Sequence, residues 1–146
     1  MEQQTGYRDM LNIKLLELAV WLGRLAGKRK EGMELKNFEY VVNYLSENYH
    51  EKIQLRDFAA GMNFSYDHFQ HQFKKLVGVS PRQFLIGRRV EAAAGLLSAS
   101  EASCTEIACR CGFSDSAQFS AIFRRERGIS PLGYRQESRR VLSGQE

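Results

Sequence analysis

FSYDHFQHQFKKLVGVSP at residues 64–81 and FSDSAQFSAIFRRERGISP at residues 113–131 repeat one pattern within a chain of 146 residues. A shift of 50 places Phe69 on Phe119, Phe73 on Phe123, Lys74 on Arg124, Lys75 on Arg125, Gly78 on Gly128, Ser80 on Ser130, Pro81 on Pro131 and Phe84 on Tyr134. Upstream the shift becomes 49, pairing Leu55 with Cys104, Phe58 with Ile107, Ala59 with Ala108, Met62 with Cys111 and Phe64 with Phe113. One residue is therefore added in the second copy between Phe113 and Phe119, at the start of its second helix. Apolar residues recur mostly at three and four, and Pro81 and Pro131 are the only prolines, so the chain is expected to be all-α.

Each copy contains the same parts. Ala59 and Ala108 sit in the middle of a short helix, where a small side chain lets a second helix cross closely, and Asn63 and Gly112 supply turn chemistry. Together these describe two helix-turn-helix subdomains. Ser65 in the first copy, and Ser114 or Asp115 in the second, suit the cap of the second helix. Gly78 and Gly128 end that helix, and Ser80-Pro81 and Ser130-Pro131 open the next one with a capping residue followed by proline.

Outside the repeat, MLNIKLLELAVWLGRLAG reads as an amphipathic first helix over about residues 8–26, with Leu11, Leu15, Leu18, Leu22 and Leu25 spaced 4, 3, 4, 3. Heptad spacing suits a coiled-coil seam, but the stripe is under three heptads long, and Ile13, Leu16 and Val20 widen it. Association with another domain or with the same helix of a second chain, a homodimer, is the expectation; packing onto the chain's own second unit is the plainer alternative. GKRKEGMELKN follows as a linker, and from about Glu34 the sequence reads as six or seven short helices.

Composition, at 43% hydrophobic and 26% charged, fits one full domain or two very small ones. The three cysteines, Cys104, Cys109 and Cys111, are odd in number and crowded into eight residues, which suits a reducing cytoplasm. MEQQTGYRDM lacks a basic secretory start, and Glu17 and Arg24 interrupt the apolar stretch, so no leader and no membrane partner is expected. The net charge of +4 and pI near 9.1 favour an anionic partner only mildly. Distribution says more: from His68 to Val90 there are Lys74, Lys75, Arg82, Arg88 and Arg89 and no acid, so this segment is expected to face phosphates.

In a helix starting near Ser65, Phe69, Phe73 and Leu76 form the expected buried stripe, which leaves Tyr66, Asp67, Gln70, His71 and Lys74 on the opposite face. Gln can pair bidentately with adenine, His can bond a purine edge, and Lys74 and Lys75 lie where the helix leaves the groove beside phosphates. Simple solvation of a surface helix is the bland alternative, and the repeat argues against it. The second copy is thinner: Ser116, Ala117, Ser120, Ala121 and Arg124 occupy the matching positions, with Gln118 beside them as its strongest base-reading group. Arg82, Arg124 and Arg125 join the lysines as phosphate contacts. A zinc site from His68, His71, Cys109 and Cys111 is disfavoured because residues two apart in a helix point about 160° away from each other. Cys111 is expected in the core and Cys109 on the surface. No nucleophile with its base, phosphate loop or carboxylate pair is present, so neither enzyme activity nor cofactor nor metal is expected.

The segment IACRCGFSDSAQFSAIFRRERGISPLGYR, preceded by RRVEAAAGLL, resembles the C-terminal DNA-binding domain of the AraC/XylS family of bacterial transcription regulators. The resemblance covers about residues 36–136 and rests on Arg89, Ala93, Leu97, Ile107, Ala108, Gly112, Phe113, Phe119, Phe123, Gly128 and Pro131 in order. It implies two helix-turn-helix subdomains, about residues 36–80 and 98–136, joined by a long central helix of about residues 81–97. It also implies that both second helices enter successive major-groove segments of double-stranded DNA, about one helical turn or roughly 34 Å apart. In relatives the positions matching Asp67, Gln70 and His71 touch bases, and many have arginine at the position of Ala121. Cys104 departs from the branched aliphatic residue usual there and is expected to serve as a small apolar residue. The DNA-binding domain is expected over residues 33–138 with a tail of 139–146. Residues 1–32 then hold the amphipathic helix and linker, a remnant of the sensing or dimerisation domain that members carry, or the start of a naturally short regulator. RNA polymerase is a further partner under this reading; the alternative from another class is a helical protein-interaction module contacting the transcription machinery.

Overall fold

The computed structural model describes residues 31–143, all of whose regular structure is helical: α1 (Glu31–Glu47), α2 (Leu55–Gly61), α3 (Tyr66–Val77), α4 (Pro81–Ala99), α5 (Cys104–Arg110), α6 (Ser116–Arg127) and α7 (Pro131–Leu142). The Leu11, Leu15, Leu18, Leu22 and Leu25 stripe lies outside the described residues. Two sequence expectations give way. Residues 31–33, read as the end of the linker, are already helical, because Glu31 and Met33 are good helix formers and lead into the helix expected from about Glu34. Residues 139–142, read as tail, continue α7, with Arg139 ion-paired to Glu101.

The described residues divide into two units. In the first, α1 packs with Ile53–Leu85. Its core is aromatic: the Phe38 ring lies 6.3 Å from Phe64, 5.7 Å from Phe69 and 6.3 Å from Phe73, and Phe73 meets Phe84 edge-on at 5.9 Å. The buried stripe of α3 is Phe69, Phe73 and Val77; Leu76, expected in it, is only half-buried. The second unit comprises Asn48–Lys52 and the chain from Ile86 onward. Val90, Ala93, Ala94 and Leu97 of α4, Ile107, Ala108 and Cys111 at α5, Phe113, and Phe119 and Phe123 of α6 form its core, with Cys104 and Tyr134 packed against it. Cys104 thus fills the apolar role expected of it.

The repeat is visible in the backbone. Ala59 and Ala108 are both buried, and their carbonyls accept from the amides of Phe64 and Phe113 at 2.9 Å in each copy. Met62 and Cys111 end α2 and α5 with nearly the same dihedrals, φ −94° and −92°. The next residue is left-handed in both, Asn63 at φ 56° and Gly112 at φ 82°. Asp115, rather than Ser114, caps α6 through its side chain, as Ser65 caps α3. The added residue is therefore Ser114, placed in the turn rather than in the helix. Gly78 and Gly128 are the left-handed C-caps expected of them.

Arginines fasten the segment before each pair of helices. Arg89 donates to the carbonyls of Tyr49 at 2.7 Å and Glu51 at 2.9 Å, and Arg135 donates to those of Leu97 and Ala102. A planar fork of N–H groups suits two carbonyls at once, which a lysine would not match. This is why Asn48–Lys52 belongs with the second unit although α1 belongs with the first.

Candidate nucleic-acid interface

α3 places its side chains by the geometry of its ends. Ser65 Oγ accepts the His68 amide at 3.2 Å, and Gly78 stops the helix, so twelve residues turn one aromatic ridge inward and the other faces outward. Asp67, His71, Lys74 and Lys75 are exposed and Gln70 is half-buried. Neither Gln70 nor His71 makes a hydrogen bond or ion pair among the described residues, so their base-reading groups are uncommitted. Tyr66 differs from expectation. It is half-buried, with the Arg56 guanidinium carbon 4.8 Å from its ring centroid and the Phe69 ring 6.3 Å away.

On α6, Ala117, Ala121, Arg124 and Arg125 are exposed and Ser116 and Ser120 half-buried. Gln118 is exposed, but its Oε1 accepts from Ser114 N–H at 3.2 Å and Ser114 Oγ at 2.9 Å, while its backbone N–H donates to Asp115 Oδ1 at 2.7 Å. Its carbonyl is thus occupied in holding the inserted Ser114, and the acceptor-donor pair that adenine needs is not free. Arg125 donates twice to Glu126, at 3.0 and 2.9 Å, in an exposed pair of the weak kind.

The acid-free stretch from His68 to Val90 separates into two behaviours. Lys74, Lys75 and Arg82 are exposed and form no ion pair among the described residues. Arg82 stands in the first turn of α4, where the helix dipole disfavours a cation, so the helix itself gives no reason for it. Arg88 and Arg89, by contrast, are engaged within the chain: Arg88 pairs with Glu91 at 3.0 Å, and Arg89 holds the Tyr49 and Glu51 carbonyls. Cys109 is exposed and Cys111 buried, as expected for neighbours pointing apart; burial pushes the Cys111 thiol up to about 11, so it is a neutral core group. Among the described residues, no group of three or more His, Cys, Asp or Glu is placed to hold a metal ion, and no helix is long and apolar enough to cross a membrane.

A family model described as a helix-turn-helix domain matches residues 58–137. The DNA-binding domain of AdpA, a global transcriptional factor solved in complex with a target DNA, is 36% identical over 75% of this chain and 97% of that one, with a TM-score of 0.66. A Chromobacterium violaceum transcriptional regulator described as containing an AraC-type DNA-binding domain is 25% identical over 72% of this chain and 94% of its own, with a TM-score of 0.63. The chain belongs to the AraC/XylS family. Among curated AraC/XylS relatives, the HTH-type transcriptional activator RhaS of Escherichia coli is 33% identical over 141 residues, 93% of this chain and 51% of RhaS. The chain therefore spans about half the length of the RhaS proteins it matches. Its DNA-binding units are of the AraC type, and α3 and α6 occupy the second-helix position in each.

Proposed function

We propose that this protein is a sequence-specific transcription regulator of the bacterial cytoplasm that binds double-stranded DNA by placing α3 and α6 in major-groove segments. One observation carries the reading: two helix-turn-helix units share matching backbone turns, and the outer face of α3 holds Gln70 and His71 free to bond base edges. Asp67, Gln70 and His71 are the principal readers. Ser116, Ala117, Ser120 and Ala121 form a face of short side chains that fits thymine methyls or close approach to the backbone. Lys74, Lys75, Arg82 and Arg124 are the phosphate contacts, and Arg125 joins them at the expense of a weak pair with Glu126.

Selection of bound sequences from a random duplex pool tests the function, and a salt series on the selected duplex tests the roles. Lys74→Ala and Arg124→Ala should each reduce the slope of log affinity against log salt by about one, on selected and scrambled DNA alike, because a phosphate contact releases counterions whatever base it adjoins. A protein-interaction module would lack this salt dependence, since apolar contacts do not weaken as salt rises.

RNA polymerase is the protein partner that this reading adds, and association through Leu11, Leu15, Leu18, Leu22 and Leu25 accounts for the heptad spacing of the first segment. The full chain should associate more than a chain beginning at Glu34, and joint replacement of Leu15, Leu18 and Leu22 by lysine should remove the difference. Sedimentation of all three as monomers would end the idea.

A further inference from the structure

The half-buried position of Tyr66 beneath Arg56 has no counterpart in the second copy, where Thr105 and Ser116 stand at the matching positions. Arg56 is exposed, is the second residue of α2, and forms no ion pair among the described residues even though Asp57 follows it. Tyr66 is the first residue of α3, immediately after the Ser65 cap. Its ring therefore lies at the end of the helix where the reading face of Asp67, Gln70 and His71 begins, opposite the end that carries Lys74 and Lys75.

We propose that Arg56 is a DNA phosphate contact of the first unit, and that Tyr66 is the residue that positions it rather than a reader of bases. A guanidinium lying over a ring uses its face for the stack and keeps its N–H groups in the plane, where they can still donate sideways. Stacking restricts a side chain that would otherwise sample many rotamers, so less freedom is lost when it meets an anion. The groove also leaves little choice of neighbour. A helix with side chains is about 10–12 Å across and the major groove about 12 Å wide, so groups on the flanks of an inserted helix meet backbone rather than base edges. Tyr66 brings Arg56 to the N-terminal flank as Lys74 and Lys75 hold the C-terminal one. The first unit then grips the backbone at both ends of its reading helix, while α6 has cations, Arg124, Arg125 and Arg127, in its last turn only.

The inference rests on the DNA-binding reading above. It is tested with the full chain on the selected duplex and a scrambled one across a salt series, comparing the parent with Arg56→Ala, Tyr66→Phe, Tyr66→Ala and Lys74→Ala, each checked for an unchanged helical circular dichroism spectrum. Arg56→Ala should lower the salt slope by about one and weaken both duplexes about eightfold at roughly 0.1 M salt, the contribution of one released counterion. Base preference should stay as it is. Tyr66→Phe keeps the platform and should keep the slope, whereas Tyr66→Ala should weaken both duplexes alike. If Lys74→Ala lowers the slope and Arg56→Ala does not, the inference fails and the DNA-binding reading stands. A change of base preference on Tyr66→Ala makes the tyrosine a reader and overturns its assigned role. Parent affinity independent of salt overturns both.

Discussion

Replacing Gly112 by alanine is expected to destabilise the second unit by about 2 to 4 kcal/mol and to weaken DNA binding with it. Gly112 turns the chain from α5 toward α6 at φ 82°, a region that costs an L-residue roughly 1–2 kcal/mol. Space is also lacking: an added Cβ would lie 2.7 Å from the His50 carbonyl oxygen and 2.9 Å from that of Tyr49. Those are backbone atoms, and the segment that carries them cannot retreat freely, because Arg89 holds the Tyr49 and Glu51 carbonyls on either side of His50. Gly128→Ala provides the comparison. It shares the positive φ, 75°, but has no heavy atom within 4 Å of the new methyl group, so only the backbone cost of roughly 1–2 kcal/mol applies. Urea unfolding of both variants checks the difference; equal losses would mean that the Tyr49 and His50 carbonyls do not crowd the turn.

This site shows what was legible in the sequence and what was not. That position 112 is a turn glycine followed from its place in the repeat, and so did the αL caps at Gly78 and Gly128, because capping chemistry is local and depends on the residue itself. The contact with His50 was hidden. It depends on Arg89, which lies 40 residues from Tyr49 and inside an acid-free run that suggested phosphate binding; composition cannot distinguish a cation facing solvent from one spent on carbonyls. Leu76 failed for a geometric reason. Phe69, Phe73 and Val77 follow the i, i+4 ridge, and packing along that ridge carries the buried line away from the i+3 position. The partner of Gln118 was equally hidden, because the repeat places the inserted residue only between Phe113 and Phe119. Once Ser114 is the insertion, the nearby glutamine is drawn into closing the turn.

The two outer faces differ in what they can read. Gln70→Ala and His71→Ala should each cost on the order of 1–3 kcal/mol of binding to the selected duplex and relax the preference at particular base pairs, because each side chain offers directional bonds that one base edge satisfies and another does not. Ser120→Ala should do much less: Ser120 is short and half-buried, its exposed neighbours Ala117 and Ala121 carry no polar group, and Gln118 is engaged with Ser114. Neither Gln70 nor His71 makes a hydrogen bond or ion pair among the described residues, so no such contact within the fold is lost in either variant. Affinities for the selected duplex and for single-base variants of it, measured at one fixed salt concentration, separate the roles. Should Ser120→Ala alter base preference more than Gln70→Ala and His71→Ala do, α6 would be the principal reader, and α3 would serve chiefly to grip the backbone through Lys74 and Lys75.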